Sequence, residues 1–309
     1  MHKYVIKRLL MLIPVILGIT FILYSIMTLT PGDPVRMILG DGATDEAVEQ
    51  MREELGLNKG FFEGYVDYLK DAAHGDFGKS YRTREPVFNE VFARFPNTLK
   101  LASSAIAISI ILGVLVGIIQ AVHQYSILDN IISGITLICT SIPDFWFGLI
   151  LIIIFCVNLK LLPASGSDHW YNYVLPAITA SMGYTAGTIR LTRSSMLEVI
   201  RSDYIRTARA KGTDERTITY RHALKNALLP VVTLIGINLG WQLGGTIIVE
   251  QIFAIPGIGT LMIGAVRSKD IPLLMASVTF VAVLSSLINL GTDILYAYID
   301  PRIKAEYSK

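Results

Sequence analysis

Cysteine is nearly absent from this chain. Cys139 and Cys156 are the only two in 309 residues, and both lie in one apolar stretch where a free thiol behaves as a small hydrophobe. They support neither a disulfide framework nor a thiolate metal site. The five histidines, His2, His74, His123, His169 and His222, are scattered, with no H-E-x-x-H and no paired His-carboxylate spacing, so no metal site is expected. A phosphate-binding loop is missing too. Gly78-Lys79-Ser80 matches the end of G-x-x-x-x-G-K-[ST], but Ala73 stands where the first glycine belongs, and no strand–loop–helix surrounds it to aim backbone N–H groups at a phosphate. Charged residues are only 17% of the chain and the net charge is +2, so the placement of the basic residues carries the information. No long internal repeat and no low-complexity tract is present.

Apolar sequence is abundant. Hydrophobic residues make up 52% of the chain and mean hydropathy is +0.52, more apolar surface than one soluble domain of this size covers. A bilayer core of about 30 Å takes about 20 helical residues. Runs of that length lie at 9–29, 99–122, 131–157, 173–191, 228–249 and 273–299, which predicts an all-α polytopic membrane protein with six transmembrane helices. The first run follows Lys3, Lys7 and Arg8 as a signal peptide would, but it outlasts an h-region of about 7–15 residues and no A-x-A-like site follows, so a retained anchor is expected.

Basic residues cluster at the N-terminus, at Arg190, Arg193, Arg201, Arg206, Arg209, Lys211, Arg216, Arg221 and Lys225, and in the tail at Arg302, Lys304 and Lys309. The positive-inside rule places both termini and the 198–230 segment in the cytoplasm. The short opposite loops offer only Lys160, Arg267 and Lys269. Residues 31–97 are then a small ordered extracytoplasmic cap, with a polar helix at 44–55 ending near Gly56 and an amphipathic helix over Phe61–Ala73.

The 198–230 segment is soluble-looking and basic. Residues 203–211 suit a short helix stopped by Gly212, and Thr213 or Asp214 can cap a second helix running toward Leu228 with Glu215 in its first turn. Its aromatics are limited to Tyr204 and Tyr220, and the topology rule already accounts for its charge, so no nucleic acid is expected. The run Tyr204, Ile205, Arg206, Thr207, Ala208, Arg209, Ala210, Lys211, Gly212 resembles the EAA loop of type I ABC-importer permeases, in the B-subunit branch serving dipeptides, oligopeptides and nickel. That signature reads Glu-Ala-Ala, three residues, Gly, nine residues, Ile, one residue, Leu-Pro. Here Arg206 and Thr207 replace Glu and the first Ala, Ala208 and Gly212 fit, and His222 and Leu224-Lys225 stand at the Ile and Leu-Pro positions. Leu229-Pro230 comes five residues late. The peptide branch shares this departure.

Polar residues inside the runs are few. Asn238, Trp241 and Gln242 interleave with Gly236, Gly240 and Gly244, a spacing repeated at Gly113/Gly117 and Gly183/Gly187. The glycines point to close helix packing, and the polar side chains to a translocation path. Asp144, after Pro143, is the sole central carboxylate. It is open to a structural role or, in an ion-coupled secondary carrier, to a coupling one. Glu250, Phe253, Pro256, Gly257 and Gly259 resemble a family pattern at the outer mouth. Pro31-Gly32-Asp33-Pro34, Gly75-Asp76-Phe77-Gly78, residues 191–196 and Asp300-Pro301-Arg302-Ile303 extend the resemblance along the chain.

The resemblance implies a multi-pass permease subunit of a bacterial or archaeal plasma (inner) membrane, with a core over 98–300, a first helix within 1–30 and a cytoplasmic tail at 301–309. It implies a homologous second permease, two cytoplasmic ATPases holding ATP and Mg, and an extracytoplasmic solute-binding protein. The 198–230 hairpin would couple to an ATPase. This chain would carry no cofactor and no catalysis. Di- and oligopeptides are the expected solutes, with nickel or another small solute as the alternative.

Overall fold

The computed structural model describes residues 2–40 and 42–299. Its regular structure is helical, and the one strand-like pairing among the described residues is an isolated antiparallel bridge between Lys79 and Pro86. In order, the helices are α1 (His2–Leu29), α2 (Pro34–Leu39), α3 (Asp45–Glu54), α4 (Phe61–Ala73), α5 (Val87–Val122), α6 (Ile127–Ser141) and α7 (Asp144–Leu151). Then follow α8 (Val174–Ile200), α9 (Asp203–Ala210), α10 (Glu215–Thr217), α11 (Leu224–Gly245), α12 (Ile247–Ile252), α13 (Ile258–Arg267) and α14 (Ile271–Ile299). A π-helical stretch, Ile152–Asn158, extends α7, and another, Ile218–Ala223, joins α10 to α11.

Four helices are long and apolar enough to cross a bilayer: Val5–Leu29, Val87–Val122, Glu215–Ile252 and Ile271–Ile294. They carry the first, second, fifth and sixth apolar runs. The third run is not one helix. Ile127–Ser141 and Asp144–Asn158 meet at 105°, because Ile142 and Pro143 are extended and proline both lacks the N–H to continue α6 and bars its predecessor from helical geometry. The fourth run opens α8, whose 27 residues are enough to span but whose second half carries Arg190, Arg193 and Glu198. By length and composition the described residues therefore hold four crossing helices, or five if the bent pair is one span. The second arm of the expected hairpin does not stop near Leu228; it is the start of a continuous 38-residue helix, Glu215–Ile252. The tail at 301–309, with Arg302, Lys304 and Lys309, lies outside the described residues.

The chain divides into two compact units. One holds the described parts of Met1–Thr98 and Pro256–Lys309. Its core gathers Met27, Val87, Ala265, Leu273, Leu274 and Ala276, with Phe77 and Leu261 against them. Buried Lys269 donates to the carbonyls of Thr30 and Gly32, closing the C-terminal end of α1. Ser80 Oγ donates to Asp270 Oδ2 at 2.5 Å, and Asp270 Oδ1 accepts from Leu273 N at 3.2 Å. The serine of Gly-Lys-Ser is thus a structural pin on α14.

The second unit is Leu99–Ile255. Leu101, Leu151, Tyr173, Leu175, Val249, Phe253 and Ile255 form one apolar cluster. Ile118, Ala121, Met196, Ile205, Ile218, Ala223 and Ala227 form another, at the base of the hairpin. Between them α5 meets α8 with almost no gap: a Cβ on Gly113 or Gly117 would lie 2.6 Å from Thr188 Cβ or Thr192 Cβ. Close backbone approach of this kind is what glycine at four-residue spacing permits in lipid.

Candidate functional site

The hairpin is built from a short helix and the first turns of a long one. At the end of α9, Gly212 adopts φ +80°, Thr213 N donates to Ala208 O (3.2 Å) and Gly212 N to Arg209 O (2.9 Å), the paired bonds of a glycine-terminated helix. Asp214 caps the next helix by accepting from Thr217 N at 2.9 Å, and that bond holds its carboxyl below the usual carboxylate range. Arg209 reaches across the turn to Glu215 with two bonds, 2.6 and 3.0 Å. Asn226 Nδ2 donates to the Tyr204 hydroxyl at 2.8 Å.

Burial decides which residues face outward. Ile205 is fully buried and Ala208 packs against the same cluster. Ala208 is half-buried against it. Tyr204, Arg206, Thr207, Ala210 and Lys211 are exposed, as are Arg209 and Gly212. Arg206 has only a long contact to Asp203, 3.8 Å.

Below the hairpin, Asp129 near the start of α6 is 2% exposed and accepts from Arg193 Nε and Nη2 of α8, both at 2.8 Å. Tyr125 N (2.9 Å) donates to the same carboxylate, and Gln120 Nε2 (3.2 Å) to the Asp129 carbonyl. The residues are 64 apart in sequence, so no periodicity could have paired them. The only signal was an arginine in the 191–196 motif and an acid four residues after Tyr125.

The polar residues of the fifth run separate. Gln242 is 1% exposed, donates through Nε2 to Ala180 O (3.3 Å), and leaves Oε1 without a partner among the described residues. Asn238, one turn earlier, lines a narrow cleft with Gln242, Ser109 and Tyr184. Trp241 stands apart from that face and is 71% exposed. Asp144 is exposed in the first turn of α7. Tyr184 thus lines one cleft with two of the four expected path residues, and the sequence reading missed it among its small neighbours Gly183 and Gly187. Gly236 and Gly240 are buried, whereas Gly183, Gly187 and Gly244 face open space.

The expected outer-mouth residues fall in both units. Glu250 is fully buried; it accepts from Thr246 Oγ1 (3.3 Å), and its carbonyl accepts from Ile255 N (2.9 Å). Phe253 packs at 3.3 Å from where a Cβ on Gly148 would stand. In the other unit, Pro256 O accepts from Asn97 Nδ2 at 3.0 Å, Gly257 precedes α13, and Gly259 is buried in its first turn. Among the described residues no cluster of His, Cys, Asp and Glu is disposed to hold a metal.

Comparison with known proteins gives this arrangement its context. The family of binding-protein-dependent transport system inner membrane components matches residues 113–305, and the N-terminal family of the same systems' membrane components matches residues 1–102. The dipeptide transport system permease protein DppB of Alkalihalophilus pseudofirmus is 41% identical, over 98% of this chain and 100% of its own. The glutathione transport system permease protein GsiC of Escherichia coli strain K12 is 39% identical, over 98% of this chain and 99% of its own. In fold, the inward-facing MetNI methionine ABC transporter has a chain that superposes with a TM-score of 0.59 at 19% identity, covering 70% of this chain and 99% of that one. This chain belongs to the family of binding-protein-dependent transport system inner membrane components, the permease subunits of ABC importers.

Proposed function

We propose that this chain moves di- and oligopeptides across a bacterial or archaeal plasma membrane, as one of two homologous permeases served by two cytoplasmic ATPases and an extracytoplasmic solute-binding protein. The observation that carries the solute class is full-length similarity to a dipeptide permease and to a permease for glutathione, itself a small peptide. ATP and Mg belong to the ATPases, and hydrolysis takes place there. The bent pair is the third span and α8 the fourth, giving six crossings with both termini in the cytoplasm, residues 31–97 outside and the 198–230 hairpin inside.

In this reading α9 seats on an ATPase through Tyr204, Arg206, Thr207, Ala210 and Lys211. Ile205 and the Tyr204–Asn226 bond tie α9 to the head of the long helix, and the Asp129–Arg193 pair ties α8 to α6. Motion imposed on α9 by ATPase closure therefore reaches α8 and α11, which carry Tyr184, Asn238 and Gln242 along the path. This is a two-state element biased by a ligand on another chain.

The test is to purify the cognate solute-binding protein and identify by mass spectrometry what it carries. Short peptides are the expected cargo; a nickel complex or another non-peptide solute would overturn the peptide assignment and leave the importer assignment standing.

A further inference from the structure

Helix α4 has three stripes. Phe61, Tyr65, Tyr68 and Ala72 form one, Phe62, Val66, Leu69 and Ala73 the next, and Glu63, Asp67 and Lys70 the third, each at three- and four-residue spacing. The first stripe is occupied. Phe61 and Tyr65 meet the rings of Phe21 and Tyr24 on α1, and Tyr65 Oη donates to Leu17 O at 3.0 Å with Thr20 Oγ1 3.1 Å away. Gly64 lies so close beneath Tyr24 Oη that a Cβ would collide with it. The second stripe is largely open: Phe62 is 74% and Val66 46% exposed and Ala73 is exposed, while Leu69 is half-buried.

The depth of these contacts identifies what covers that stripe. Arg8 pairs with Asp293 at 3.0 Å near one end of α1. At about 1.5 Å per residue, Thr20 lies about 18 Å and Tyr24 about 24 Å along the helix from Arg8. A hydrocarbon core of about 30 Å measured from Arg8 ends near Leu29, so Gly64 meets α1 about 6 Å inside it. That is the depth at which amphipathic helices bed, about 5–10 Å. Around the contact α1 is bare, with Ile22 58% and Ile26 56% exposed, and the open stripe of α4 continues this lipid-facing surface. Tyr65 Oη is paired with α1, and Asp67 with Lys59 (2.8 Å) and Lys70 (3.2 Å), whose long side chains can keep their charges at the headgroups, while exposed Glu63 lies on the third stripe.

We infer that α4 is an interfacial helix whose Phe62–Val66–Leu69–Ala73 stripe beds among the acyl chains of the leaflet at the C-terminal end of α1. The segment after the first span is therefore anchored in the bilayer surface, which refines the expected extracytoplasmic cap. The inference rests on α1 crossing the bilayer, and the test separates the two.

The assembled transporter, carrying Cys139→Ala and Cys156→Ala, is reconstituted into phosphatidylethanolamine–phosphatidylglycerol vesicles with one nitroxide at Phe62→Cys, Val66→Cys, Asp71→Cys or Ile13→Cys. Collision rates with oxygen, which favours lipid, and with a nickel chelate, which favours water, are read for each. The expected result is a higher oxygen-to-chelate ratio at 62 and 66 than at 71, approaching that at 13. A ratio at 62 and 66 equal to that at 71 places the stripe in water and overturns the inference. Low collision with both reagents means a protein partner covers it, which overturns it equally. A watery signal at 13 removes α1 from the bilayer, a failure of the span assignment itself.

Discussion

Arg193 grips Asp129 with both Nε and Nη2 at 2.8 Å, closing α8 onto the start of α6 just below the hairpin. The carboxylate is almost wholly buried and the guanidinium 27% exposed, so the pair lies between a surface bridge and a fully buried one. Asp129→Asn keeps the shape but leaves Arg193 without its counter-charge. A loss on the order of 2–3 kcal/mol is expected, seen as a lower unfolding temperature in detergent. Arg193→Lys, which loses the fork geometry, should fall between wild type and Asp129→Asn. Equal stability for all three would show the pair to be dispensable.

The Tyr204–Asn226 bond separates folding from coupling. Tyr204 is 47% exposed, so Tyr204→Phe removes one hydrogen bond at a cost of about 0.5–1.5 kcal/mol and leaves the ring in place. The unfolding temperature should barely move. ATP hydrolysis in proteoliposomes should continue while solute taken up per ATP drops, and an unchanged ratio would exclude the bond from transmission.

Two sets of glycines make opposite predictions. Gly113→Val or Gly117→Val drives side chains into Thr188 or Thr192, an overpacking worth about 1–3 kcal/mol, read as reduced yield and unfolding temperature of the chain. Gly187→Ala adds a methyl to open space and should leave this chain's own stability unchanged. If Gly187→Ala destabilises the isolated chain as much as Gly113→Val, the α5–α8 contact is not the site of close approach.

The basic rim of the hairpin answers to salt. Arg206 and Lys211 are exposed and make no close ion pair, so Arg206→Ala and Lys211→Ala should not unfold the chain. Both should weaken ATPase co-purification, and more so at high salt, where the remaining charges are screened. Undiminished co-purification of both variants would move the contact elsewhere.

Much of this architecture could be read from the sequence, because a helix buried in lipid must be apolar for about 20 residues. The Phe61–Ala73 helix and the Gly212 stop were legible for a similar local reason, stripe spacing in one and left-handed backbone in the other. What stayed hidden depends on orientation in space. The 131–157 run read as one span, and the 105° bend at Ile142–Pro143 was not legible in its hydropathy. The second arm of the hairpin was expected to run only toward Leu228, yet Pro230 sits inside a helix that continues from Glu215 to Ile252. Ala208 is half-buried against the cluster that holds fully buried Ile205, a placement that no local pattern gives.

The most direct measurement is uptake into proteoliposomes holding the complete transporter, with its binding protein outside and a labelled peptide as solute. Accumulation should require ATP and Mg on the ATPase side, persist when ion gradients are collapsed, and be unaffected by Asp144→Asn beyond any change in folding. Uptake that proceeds without ATP, follows an imposed ion gradient and is abolished by Asp144→Asn would contradict it, and would make this chain a secondary carrier.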